Sequence, residues 1–167
     1  SLAREIGFVR EILDAIIVGR SKVSEIGQLL CANQKISKIS FTGSTAVGKQ
    51  LVLQGAGTLQ KFSLELGGNA PFIVREDADL DLASDELILS KFRNAGQTCV
   101  CANRIFVNAT IFDKFVSIFL SKVQTIKTGS GFEAGVQIGP LINHAAANRY
   151  EKLISDLNLS GAKFVYH

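Results

Sequence analysis

The chain is 167 residues long and 47% apolar, with 18 Lys and Arg against 15 Asp and Glu and a net charge of +3. That is enough apolar material for a buried core, and the charge is scattered rather than run together, which excludes the electrostatic footprint of a nucleic-acid or anionic-membrane binder. No apolar stretch reaches the roughly 20 residues of a bilayer span, and "SLAREIGFVREIL" lacks the layout of a secretion signal, so the chain reads as soluble.

Apolar residues recur at helical spacing in "LAREIGFVREILDAI", and "IIV", ending at Val18, reads as a short buried strand. "KVSEIGQLLCA" is again helical, with Ser21 as N-cap, Glu25 in the first turn and Cys31 on the apolar side as a buried thiol. Residues 36–43, "ISKISFTG", form a strand that runs through "GSTAVGK" into a helix continuing along "QLVLQGAGTLQ". "KFSLEL" alternates before Gly67 and Gly68, and "APFIV" is a second buried strand. The next helix is capped by Asp79 and ends in a basic turn with Lys91 and Arg93, closed by Gly96. "CANRIFVN" is a strand. "TIFDKFVSIFLSKVQTI" is an amphipathic helix with Phe112, Phe115, Val116 and Phe119 on one side. After the turn "GPLIN" comes a last helix, "HAAANRYEKLISDL", and "AKFVYH" begins a strand. This alternation predicts an α/β fold with a mainly parallel sheet.

Three cysteines, an odd and low number, argue for a reducing compartment rather than a disulfide framework. His144 and His167 stand far in sequence from Cys99 and Cys101, so a zinc site has little support.

Three stretches can carry chemistry, each with a plain alternative. The turn from Gly43 to Gly48 offers free backbone N–H groups at a helix start, suited to a phosphate or to nothing more than a strand–helix turn. It is not GxxxxGK[ST], since Gln50 replaces the hydroxyl, and it is not GxGxxG. Glu65 lies among apolar neighbours, which makes it either a partly desolvated base or a solvated edge residue. Cys99 follows Gly96, Gln97 and Thr98, on a turn where a thiolate nucleophile with Arg93 as a nearby cation competes with a small packing residue.

Together and in this order, "FTGSTAVG", "LELGGNAPFIV" and "KFRNAGQTCVCANR" resemble the aldehyde dehydrogenase superfamily, and within it the succinate-semialdehyde dehydrogenase branch. The likeness runs along nearly the whole chain, and Glu65 and Cys99 stand 34 positions apart. It implies the end of a Rossmann-like cofactor domain over residues 1–68 and the first half of an α/β catalytic domain over 69–167. It assigns Cys99 as nucleophile and Glu65 as general base. Gly43, Ser44, Thr45 and Gly48 fall at the cofactor pyrophosphate, Leu66 and Gly67 near the nicotinamide, and Arg93 at the distal carboxylate of the substrate. The implied reaction is NAD- or NADP-dependent oxidation of an aldehyde, succinate semialdehyde above all, through a thiohemiacetal and a thioester on Cys99.

The resemblance also implies a longer enzyme, a homo-oligomer at full length, acting inside the cell in mitochondria or cytoplasm. An upstream oxyanion Asn, an upstream ribose-binding Lys and a downstream Glu would then lie outside these residues. The contrasting expectation is a catalytically inactive chain acting as an interaction or decoy subunit, with thiol acyl transfer as a weaker third. Cys101 is a possible redox partner of Cys99. In an extended segment the two would face one side with Cα atoms about 6.5 Å apart, near the limit for a bridge that blocks the nucleophile. The plainer role is packing beside the site.

Overall fold

The structure is a computed structural model and describes residues 5–7 and 12–165. It divides into two compact units, Ser1–Leu66 and Gly67–His167, against an expected division after Gly68.

In the first unit, α1 (Val23–Ala32), β1 (Lys38–Thr42), α2 (Thr45–Gly55) and β2 (Lys61–Glu65) follow one another. β1 and β2 pair in parallel, Lys38 opposite Lys61 and Thr42 opposite Glu65. A parallel pair needs a crossover, and α2 supplies it. Gln60, 9% exposed, ties the unit's loops together. Its Nε2 donates to the carbonyls of Leu30 and Ile36, at 2.9 Å each. Cys31 is fully buried between α1 and α2, with its Sγ donating to Leu51 O at 3.6 Å, and burial pushes its thiol pKa up.

The second unit holds β3 (Ala70–Val74), α3 (Leu80–Phe92), β4 (Ala102–Val107), α4 (Phe112–Val123) and α5 (His144–Leu159). β3 and β4 again pair in parallel, with a register shift between Ala70 and Pro71. Asp79 caps α3 by accepting from the N–H groups of Asp81 and Leu82. Val74, Leu87, Ala102 and Phe115 form the core, with Phe72, Val107 and Phe119 packed against it. Each large side chain so buried stabilises the fold by about 1.5–3 kcal/mol. Lys122 of α4 clasps α3, its Nζ 2.7 Å from Asp85 and 3.4 Å from Asp81. The hydrogen bond to Asp85, ahead of the charges of both carboxylates, raises the Lys122 pKa.

Several expectations are corrected. "IIV" is not a strand, and Ile17 is fully exposed at 99%, because among the described residues no strand pairs with it. The first expected helix falls partly on residues 2–4 and 8–11, outside the described residues, and its described end, 12–16, is not helical. Ser21 is not a cap: a 3-10 turn over Arg20–Lys22 leads straight into α1. α2 stops at Gly55, before a 3-10 turn and Leu59 at φ 53°. "APFIV" is buried on one face only, since Phe72 and Val74 point into the core while Ile73 is 69% exposed. On α4 Phe115 is buried, yet Phe112 remains half exposed. Residues 162–165 form no strand; Tyr166 and His167 lie outside the described residues.

Candidate active site

Of the expected cofactor residues, Gly43, Ser44, Thr45, Gly48 and Leu66 lie in the first unit, near the carboxyl ends of its two strands, and Gly67 opens the second unit. Such strand ends are where open parallel sheets bind ligands. Gly43 donates its N–H to Glu65 O at 3.0 Å, which fixes the turn beside the end of β2. Ser44 caps α2, its Oγ accepting from Val47 N at 3.3 Å. Among the described residues the N–H groups of Thr45 and Ala46 have no acceptor, as a helix start requires. Gly48 is buried, and a Cβ there would meet the Leu66 side chain at 2.7 Å, so this glycine makes room for Leu66. Next to the turn lies a cavity of about 570 Å³ whose lining includes Val23, Gly27, Leu30, Phe41, Val47 and Leu51. Glu65 itself is exposed, which decides for the solvated alternative over the partly desolvated one: its apolar neighbours Leu64 and Leu66 do not cover it.

The expected thiol site lies in the second unit. α3 ends at Phe92, and Arg93 is its C-cap. Asn94 (φ 52°) and Ala95 (φ 55°) then turn left-handed, followed by Gly96 at φ 74°. The expected stop at Gly96 thus begins two residues earlier, at a non-glycine pair. Gln97 holds this run. Its N–H and its Nε2 both donate to Asn94 O, its own carbonyl accepts from Asn94 Nδ2, and its Oε1 accepts from Ile142 N at 2.9 Å. Cys99 and Val100 form the turn that follows, closed by Cys101 N donating to Thr98 O at 3.4 Å. Cys99 is exposed, and its N–H has no acceptor among the described residues. Arg93 is exposed and makes no ion pair among the described residues.

The same turn corrects the geometry expected for Cys101. The segment is not extended, so the face-sharing argument for a bridge does not hold. Cys101 is fully buried, with its Sγ 3.3 Å from Lys91 O, and all three cysteines are free. Gly67, expected near the nicotinamide, has open space where a Cβ would go. The residue after it differs: a Cβ on Gly68 would overlap the carbonyl oxygen of Cys99. Gly68, Lys91, Gln97 and Asn103 had no site role in the sequence reading. Among the described residues no three His, Cys, Asp or Glu gather as a metal site, and no helix is long and apolar enough to cross a membrane.

A profile of the aldehyde dehydrogenase family matches residues 1–167. The chain is 51% identical to the mitochondrial succinate-semialdehyde dehydrogenase of Oryza sativa, over 90% of this chain and 29% of the relative. It is 51% identical to a 3-sulfolactaldehyde dehydrogenase of Pseudomonas putida, over 85% of this chain and 29% of the relative. Among solved structures, a succinate-semialdehyde dehydrogenase from Burkholderia pseudomallei superposes with a TM-score of 0.91 at 45% identity, covering 99% of this chain and 34% of that one. The chain thus spans about a third of the length of the relatives it matches.

Proposed function

Because the chain belongs to the aldehyde dehydrogenase family, we propose that it carries the thiol and part of the cofactor site of an enzyme oxidising a small anionic aldehyde to its carboxylate. The observation that carries this reading is Cys99: the one exposed thiol of three, set in a turn whose own N–H is unpartnered.

The chemistry follows from these groups. The Cys99 thiolate adds to the aldehyde carbon and forms a thiohemiacetal, and the Cys99 N–H donates to the oxyanion that develops. A bound nicotinamide would supply the hydride acceptor, and loss of hydride from the thiohemiacetal carbon would leave a thioester on Cys99. Glu65, an exposed carboxylate, is the group for taking a proton from the water that hydrolyses the thioester. The first unit fits such a cofactor. Its apolar cavity has the size of small-ligand sites, and the free N–H groups of Thr45 and Ala46 suit a diphosphate. Both NAD and NADP satisfy these features.

Arg93 is the group for the far end of the substrate, with no ion pair among the described residues to give up. A guanidinium receives a carboxylate bidentately, which supports succinate semialdehyde as substrate. It receives a sulfonate as readily, and the sulfolactaldehyde enzyme of Pseudomonas putida makes a sulfonated aldehyde the second reading.

The test is a hybrid in which this chain replaces the matching third of the Burkholderia enzyme, assayed with succinate semialdehyde and either nicotinamide. Turnover is expected, and Cys99→Ala abolishes it. Arg93→Met is expected to lower kcat/KM for the anionic aldehyde about 10–100-fold, the worth of a charge-assisted pair, and to spare an uncharged aldehyde. Turnover surviving in Cys99→Ala would overturn the reading.

A further inference from the structure

β4 carries one residue too many for its partner. Ala70 faces Ala102, but the next residue, Pro71, faces Arg104, so Asn103 is the bulged residue. A bulge re-aims its extra side chain, and bulges gather beside active sites. Here the re-aimed amide uses both ends. Its Oδ1 accepts from Lys91 Nζ at 2.6 Å, and its Nδ2 donates to Gly68 O at 3.3 Å. The cation on Oδ1 polarises the amide and strengthens the bond from its other end.

Gly68 in turn lies against the thiol turn. Its Cα hydrogen occupies the place where a Cβ would overlap Cys99 O, a close C–H···O approach. The turn is held from its other side by Cys101, whose S–H donates to Lys91 O. Arg104 Nε adds a bond to Asn69 O at 3.0 Å. The contacts close a ring: Lys91, Asn103, Gly68, Cys99, Cys101 and back to Lys91.

We propose that this ring is a positioning device for the nucleophile, with Asn103 and Cys101 as positioning residues that hold the Cys99 turn in its reactive shape. The idea rests on the reading of Cys99 as nucleophile, but its mechanics do not need an aldehyde or a cofactor. It gives the second cysteine a role as a buried donor that fastens the turn to the end of α3. It gives the bulge a role as well, since the extra residue it inserts between Ala102 and Arg104 is the one whose amide reaches Lys91 and Gly68.

The experiment is alkylation of the 167-residue chain by iodoacetamide across a pH series, with Cys99 and Cys101 quantified separately by mass spectrometry. Circular dichroism keeps only variants that remain folded. In the parent chain the Cys99 rate–pH profile is expected to differ at least threefold from that of the same chain in denaturant, with Cys101 protected. Asn103→Ala and the near-isosteric Asn103→Asp, which keeps the Lys91 partner and loses the donor to Gly68, move the Cys99 profile toward the denatured one. Cys101→Ala does the same, and Cys101→Ser, which keeps a donor for Lys91 O, restores the parent profile. The proposal is overturned if the parent profile matches the denatured chain, if folded Asn103 variants alkylate as the parent does, or if Cys101→Ser behaves as Cys101→Ala. A failed function reading is seen elsewhere, as aldehyde turnover that survives loss of Cys99.

Discussion

Gly67 and Gly68 are neighbours with opposite surroundings, and alanine at each tests the architecture of the thiol turn. At Gly67 the new methyl meets nothing within 4 Å. At Gly68 it would collide with the Cys99 carbonyl oxygen, a backbone atom that cannot swing aside as a side chain does. Relief requires the turn to retreat by on the order of an ångström. Overpacking of this kind costs about 1–3 kcal/mol, and a nucleophile misplaced by about that distance costs on the order of 100-fold in rate. Urea unfolding of the chain, followed by circular dichroism, is therefore expected to show a lower midpoint for Gly68→Ala and one no lower than the parent's for Gly67→Ala. In the Burkholderia hybrid Gly68→Ala is expected to lower kcat about 100-fold. Equal midpoints for the two variants would refute the close approach of Gly68 to Cys99.

Ala95 sits at φ 55°, where a Cβ is strained, so Ala95→Gly is expected to stabilise the chain by about 0.5–1 kcal/mol after the extra chain entropy of glycine, read from the urea midpoint. Lys122 tests the pH dependence. Its folded pKa is raised, so the stability it contributes is complete below the ordinary lysine value and is lost as pH rises through the raised one. Lys122→Met is expected to be less stable than the parent at neutral pH, and the gap closes in strongly alkaline solution; a gap independent of pH would contradict the clasp on Asp81 and Asp85.

Local signals were legible where the chain satisfies itself locally. Asp79 caps α3 as its position before the helix predicts, and the parallel pairing follows from strands separated by helices. The buried Cys31 and the turn around Cys99 also follow from neighbouring residues. Apolar runs misled where burial depends on a partner: Ile16 and Ile17 look like a core strand but pair with no strand among the described residues. Gly96 takes the left-handed conformation its place after α3 suggests, but Asn94 and Ala95 take it too, which no glycine signals. The ring around Cys99 was out of reach. Asn103 meets Lys91 12 residues away and Gly68 35 away, and a bulge that re-aims one side chain leaves no periodic trace.

The burial of two thiols and the exposure of the third also equip the chain with its own gauges. In an unfolded chain all three cysteines are open to reagent, whereas in the folded one Cys99 alone is. Cys31 lies in the first unit and Cys101 in the second, so the label each acquires counts the openings of its own unit. One sample, without any introduced dye, thus separates the local stability of two pieces of the same polypeptide.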